Sequence, residues 1–441
     1  MSLRWLLPII MTLAITGQAI APSRRLVTVL GAAGLCLLLS ATSGGPDAKS
    51  ILAGVPWDVL VILGTLGALS QLLAEARTFE RVAVLAARWS RGDPRRLYGV
   101  VAVAMYAVSA LVNNLTALLL VLPVMLVLLR LVSPTQRYIT WSLGLMLVAC
   151  NLGGAATPIG DFPAILLLGA GRMAFAEYLP RAAAATSVAL AVLLVLLATV
   201  VRPAASLPDD PLSRRLTLRV ALTMHRGIGV DRRTAGPALG LLALVLVAWA
   251  FAPPESHVTP ELVSWLGAGL ALALAGRAGE QTARRCVDGE AVLFLLALFV
   301  MVGAVRATGL FEDAGRMLLA LPVGRSTKLV AFLVVAAVLT GLFSAGPSMA
   351  ALLEVADVLA REVPGPVVYV GIALSVCAGS SLFLTAATAG PLAQVLVERA
   401  ALRDAGGNLL VFDFREFARV GALSFVVILA VGIGQALLSL P

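Results

Sequence analysis

Two polar clusters break the apolar run between Ser109 and Ala164. The first is Asn113-Asn114-Leu115-Thr116, and the second is Gly153-Gly154-Ala155-Ala156-Thr157-Pro158-Ile159-Gly160-Asp161. A backbone break at membrane depth leaves N–H and C=O groups that lipid cannot satisfy. It survives only inside protein or beside a water-filled cavity, which is where a transport site sits. Asp161 carries the sharpest chemistry, because a carboxylate at that depth is costly unless paired or protonated, and such a group can trade a proton for a cation. A plainer reading stands beside it: Asp two residues before Pro163 is also a good start for a helix opening at Phe162. Asn113 and Asn114 can likewise form a polar turn, and the hydroxyls of Thr116 and Thr157 can bond the preceding turn's carbonyl.

The rest of the chain must hold these groups inside a bilayer. Of its 441 residues 60% are hydrophobic and 13% charged, with a mean hydropathy of +0.98; no soluble globule has interior enough for that. Apolar stretches long enough for a transmembrane helix recur, and strand-like alternation is absent, which excludes a β-barrel. The net charge of +9 comes from arginines in short loops. They orient the chain and face anionic headgroups, so nucleic acid is not an expected partner. Cys36, Cys150, Cys286 and Cys377 are far apart and have no metal or disulfide spacing. His225 and His257 lie away from both breaks, and no Gly-x-x-x-x-Gly-Lys-[Ser/Thr] loop is present for direct use of ATP.

Spans are expected at 3–21, 26–42 and 57–76. Residues 77–96 hold six Arg against two acids with an apolar stripe of Phe79, Val82, Leu85, Ala86 and Trp89, the pattern of a helix lying in the interface. Arms 97–112 and 115–130 flank the Asn pair; sixteen residues make only about 24 Å of helix, so the spacing predicts a re-entrant hairpin over 97–130. The mostly apolar run from Tyr138 to Gly171 is too long for one straight helix and predicts a broken helix over 138–171. A span at 180–201 ends a first repeat, 1–201. Residues 202–235, with seven Arg and three Asp, predict a basic cytoplasmic linker. A second repeat, 236–441, follows with spans at 236–252, 260–276 and 289–308, a hairpin over 328–361, a broken helix over 367–397 and a last span at 417–440. Counted from the linker, the loops at 22–25, 77–96, 131–137, 277–288 and 398–416 share its side, and both termini face the other.

The second half reads as a degraded copy of the first. Asp58 to Phe79-Glu80 matches Glu290 to Phe311-Glu312 without a gap, Ser109-Ala110 and Ser344-Ala345 open the hairpin turns, and Cys150 and Cys377 precede the two breaks. The expected fold is an all-α polytopic membrane protein of two inverted repeats, each with about five transmembrane helices, a re-entrant hairpin and one broken helix. Such repeats, meeting at the midplane through discontinuous helices, build secondary transporters.

NNLTALLLVLP from Asn113 and GGAATPIGDFPAILL from Gly153 resemble the ion transporter superfamily, which includes arsenite permeases, NhaD-type sodium–proton antiporters, melanosomal P proteins and divalent anion–sodium symporters. The resemblance runs from about Trp57 to Gly390 and is most specific at Gly153 to Ala164. It implies a hairpin tip of Asn113, Asn114 and Leu115 facing the unwound segment Thr157 to Asp161 across a cation site. Sodium at Asn113, Asn114, Thr157 and Asp161 is the expectation, with Thr116, Gly154 and Gly160 alongside, since unwound carbonyls with amide and hydroxyl oxygens suit a hard cation. The second copy departs from the pattern: its tip (344–348) and break (378–391) have no Asn or acid, leaving Ser344, Ser348, Ser381, Thr385 and Thr388 as candidate ligands. Glu354 and Asp357 share a helix face nearer the outer interface.

The function expected is a secondary active ion transporter working by alternating access and coupled to sodium or protons, as a cation/proton antiporter or a small-ion exporter. The alternative is a sodium-coupled symporter of dicarboxylate or oxyanion, which would lack any Arg or Lys in the breaks to hold a dianion. An intramembrane enzyme would need a nucleophile–base pair or a metal cluster that the breaks do not contain. A scaffold without transport gives no reason for two breaks in matching places. No cofactor is expected beyond the coupling sodium ion or proton. The partners implied are a small ion, the lipid bilayer and, as one open assembly, a second copy of the chain in a homodimer.

Overall fold

Several helices in this chain begin where a short polar side chain precedes an apolar run. Asp93 Oδ1 accepts from Arg95 N before Pro94, Thr135 Oγ1 from Tyr138 N and Asp413 Oδ1 from Glu416 N; each satisfies a backbone donor that the first turn leaves orphaned. The computed structural model describes all residues except 1–2, 21–23, 44, 133, 208–210, 228, 252–257, 286–288, 388 and 441. His257, Cys286, Thr388 and the side chain of His225 lie outside what it describes.

The first half runs α1 (Leu3–Ile20), α2 (Arg25–Thr42), α3 (Ala48–Ala53), α4 (Trp57–Glu75), α5 (Thr78–Trp89), α6 (Pro94–Ser109), α7 (Asn114–Leu131), α8 (Gln136–Ala156), α9 (Phe162–Gly169) and α10 (Phe175–Leu196). Then come α11 (Pro211–Gly227), α12 (Arg232–Phe251), α13 (Pro260–Leu274), α14 (Arg277–Arg285), α15 (Gly289–Arg306), α16 (Leu310–Leu319), α17 (Arg325–Phe343), α18 (Ala345–Leu359), α19 (Gly365–Ser380), α20 (Gly390–Ala400) and α21 (Phe414–Leu438). Among the described residues there is no β-strand, and seven helices are long and apolar enough to cross a membrane. Side chains such as Leu13, Leu244, Leu266 and Val426 are more than half exposed, as an outer surface solvated by lipid requires.

Two helices form the centre. Almost every residue of α8 and α19 is buried; α6 and α10 pack on α8, and α17 and α21 on α19. A second group, α1, α2 and α15 with α4, α12 and α13, packs alongside. Each central helix ends in a polar break and resumes, as α9 and as α20.

Helix ends gather at two faces. At the basic face Arg214 lies 4.0 Å from Asp93, Asp231 N donates to Ala76 O, Thr282 Oγ1 to Glu75 and Arg130 to Ala400 O. At the opposite face Arg172 pairs with Asp357 at 2.6 Å, Arg306 with Glu354 at 3.1 Å, Lys328 with Glu362 at 3.2 Å and Arg4 with Asp313. The hairpin α6–α7 therefore leaves and rejoins the basic face, and α17–α18 leaves and rejoins the other.

The segment 202–235 contains a helix: α11 fills its middle and packs on α5 and α7. Pro211 sits at its start, where proline is tolerated, and its arginines are good helix formers. The second arm of the first hairpin is longer than sixteen residues, because Asn113 caps it and Asn114 joins its first turn, giving 18 residues.

Candidate functional site

The first hairpin tip and the first break are stitched together by short polar contacts. Asn113 Oδ1 accepts from Leu115 N at 2.8 Å and so starts α7. Ser109 Oγ shares its proton between Asn114 Oδ1 at 2.5 Å and Cys150 O at 2.7 Å, and the Cys150 thiol reaches Asn114 O at 3.3 Å. Thr157 Oγ1 donates to Ala110 O at 2.5 Å. The close approach explains two glycines. A Cβ on Gly154 would run into Asn114 Oδ1 and Asp161 Cβ, and one on Gly160 into Ser109 O.

Asp161 caps α9 while facing inward. Its Oδ1 accepts from Phe162 N at 2.9 Å. Because Asn114 Oδ1 is taken by Ser109, the amide N–H of Asn114 is left for the Asp161 carboxylate, and the two side chains do interact. The carboxyl lines a cavity of about 10 Å³ with Ala155, Pro163, Tyr178, Val376 and Cys377, room for about one water. Tyr178 OH donates to Ala155 O at 2.7 Å. Capping and an inward-facing carboxyl, alternatives in the sequence, are both present here.

The second break is built from weaker groups. Ser380 Oγ and Ser381 Oγ both donate to Cys377 O, at 3.0 and 2.9 Å. From the first half Asn151 crosses over, its Nδ2 donating to Ser380 O at 3.3 Å and Ser381 Oγ at 3.2 Å. The break spans residues 381–389, longer than 157–161 in the first half.

A family model described as citrate transporter, CitMHS, matches residues 10–379. The chain belongs to the CitMHS family. The transporter Rv2684 of Mycobacterium tuberculosis, described as uncharacterized, is 29% identical over 415 residues, 92% of either chain. The magnetosome protein MamN of Paramagnetospirillum magneticum is 29% identical over 423 residues, 93% of either chain. The human P protein is 26% identical over 145 residues, 33% of this chain and 17% of its own. Among solved structures, the YdaH transporter of Alcanivorax borkumensis matches with a TM-score of 0.58 at 16% identity, over 91% of this chain and 88% of that one. Membership makes this CitMHS protein a multi-pass integral membrane transporter, and the YdaH match supports its fold.

Of the residues singled out in the sequence, the CitMHS structure brings Asn114, Gly154, Thr157, Gly160 and Asp161 together. Asn113 is exposed at the cap and Thr116 is half-buried just beyond the cluster. Ser381 joins the centre through Asn151. Ser344 forms the turn of the second hairpin, Thr385 is exposed, and Ser348 faces an apolar pocket against Met11 and Phe311 rather than Asp161. Glu354 and Asp357 lie in ion pairs at the face opposite the basic one. Among the described residues no group of three or more His, Cys, Asp or Glu is placed to hold a metal.

Sequence reasoning missed Ser109 as a site residue, and Asn151 and Tyr178 altogether. Asn151, a polar side chain deep in an apolar run, carried a readable signal; Tyr178 carried none.

Proposed function

We propose that this protein is a secondary active transporter that exchanges a cation for protons or exports a small ion, with Asp161 as the group that binds the coupling sodium ion or proton. One observation carries the reading: the ionisable group where hairpin tip and break meet is a carboxylate, and neither break contains Arg or Lys. The carbonyls of 157–160 and Asp161 supply hard oxygen ligands in one place, with the Asn114 side chain beside them. The repeated hairpin and broken helix, entered from opposite faces, support an inverted repeat working by alternating access, with the basic face in the cytoplasm. In that cycle the Arg172–Asp357 and Arg306–Glu354 pairs are contacts that open when the far face opens.

The family description favours a second reading, symport of citrate or a similar anion. A polyanion here would rest on helix N-termini and co-bound cations, because no side-chain cation is at hand.

The test is reconstitution into proteoliposomes under a sodium or proton gradient, with citrate, arsenite, succinate and sulfate as solutes. The wild type should dissipate a gradient or move a solute, with Asp161→Asn and Asn114→Ala strongly impaired. A wild type that does neither sinks the transporter reading at this site. Full, pH-independent activity in Asp161→Asn reduces Asp161 to a cap.

A further inference from the structure

The two halves meet their breaks with unlike side chains at matching places. Gly153 of α8 touches the first hairpin at Tyr106 O and Ser109 Cβ, and Gly379 of α19 touches the second at Ala337 O and Thr340 Cβ. This packing sets the register between the central helices: Gly153 matches Gly379, so Asn151 matches Cys377. In this register Cys377 stands opposite Asn151 rather than Cys150, and Thr340 stands where Ser109 does. Contacts across the centre agree. Asn151 reaches from the first half to the second break, and Cys377 reaches from the second half to the cavity beside Asp161.

The chemistry at the two positions differs. Ser380 O can only accept, and Ser381 Oγ spends its proton on Cys377 O, so the Asn151 amide must present its N–H groups to both. Asn151 is 2% exposed, and its positive amide hydrogens sit among the oxygens of the second break. At the first break the corresponding side chain, Cys377, brings a thiol, a weak donor, beside the Asp161 carboxylate.

We propose that the Asn151 amide stands in for a cation in the second half, so that the protein binds its coupling cation in the first half alone. This rests on the reading of Asp161 above. A carboxylate placed at 151 would point at Ser380 O and Ser381 Oγ, and oxygen against oxygen in a buried site is tolerated only with a proton or cation between them.

The experiment measures equilibrium binding of radiolabelled sodium to purified full-length protein, with protons bound or released followed by indicator dye, for the wild type, Asn151→Asp, Cys377→Asn and Asp161→Asn. At about pH 9, near the upper limit to which burial carries carboxyls, Asn151→Asp should take up one sodium ion or proton more than the wild type. Cys377→Asn, which adds a second amide donor beside that of Asn114 at the first break, should lose the sodium or proton that the wild type holds there. A wild type that binds two sodium ions with Asn151 intact, or a folded Asn151→Asp with no excess of either ion, overturns the proposal. Equal sodium and proton binding by wild type and Asp161→Asn instead defeats the Asp161 reading, while the Asn151→Asp excess still judges the second half. Thermal unfolding of each variant separates loss of fold from loss of binding.

Discussion

Thr157 Oγ1 donates to the Ala110 carbonyl oxygen at 2.5 Å, tying the unwound end of the first central helix to the turn of the first hairpin. Thr157→Val keeps the shape and removes the donor, leaving a half-buried carbonyl without this partner. The cost should be about 1–2 kcal/mol, read as a lower melting temperature together with slower transport. Thr157→Ser should recover most of both. A valine variant with wild-type melting and transport would show that this bond positions nothing.

Arg172 follows α9, whereas Asp357 lies on α18 and also accepts from Tyr369 OH at 2.9 Å. A double-mutant cycle of Arg172→Ala and Asp357→Asn should give a coupling of about 1 kcal/mol in stability, the scale of a partly exposed pair. If the pair closes that face in the transport cycle, either variant should also raise labelling of a cysteine placed at Ala360. Zero coupling and unchanged labelling would leave the pair as surface decoration.

The Ser348 hydroxyl is buried and has no hydrogen-bond partner, in a pocket otherwise walled by side chains such as Met11, Phe311, Leu339 and Leu352. Unpaired buried hydroxyls cost free energy, so Ser348→Ala should stabilise the protein by about 1 kcal/mol. Destabilisation of that size would mean the hydroxyl has a partner in the membrane.

Asp231, just before α12, accepts from Thr234 Oγ1 at 2.7 Å and Arg233 N at 3.1 Å. The Thr234 hydrogen bond, followed by that from the Arg233 backbone, holds its carboxyl below the ordinary carboxylate value. The folded value is therefore the lower one, and the stabilisation is complete above about pH 4 and lost as pH falls through the folded value. Melting curves of wild type and Asp231→Ala should be separated at neutral pH and converge in acid. A gap that widens in acid contradicts the assignment.

The helices were legible because apolar runs of membrane length have few alternatives. The helix α11 was not, since an arginine-rich amphipathic segment has the composition of a loop. Asp161 could be picked out as an acid beside glycines and Asn114 as an amide inside an apolar run, but the sequence could not show that Asn113 turns outward to cap α7 while Asn114 turns in. The exposed place of Thr385 and the turn position of Ser344 were not legible for a geometric reason: the second break is longer and the second hairpin turn shorter than in the first half, so equal spacing along the chain does not give equal position. The cysteines before the two breaks gave no residue register between the halves; the contacts of Gly153 and Gly379 with the hairpins, which a Cβ would break, were not legible in the sequence.

The turns of the two hairpins differ in length. The first spends residues 110–113 on its reversal, whereas the second reverses at Ser344 alone, with φ at +78° and ψ at 155°, a conformation essentially reserved for glycine that costs about 1–3 kcal/mol. The paired fingers are thus mechanically unequal. One turns over four residues and is tied to the first break by the Thr157–Ala110 hydrogen bond, while the other turns at a single strained residue held in place by its surroundings. Strain is therefore stored at one tip of the pair and not at the other.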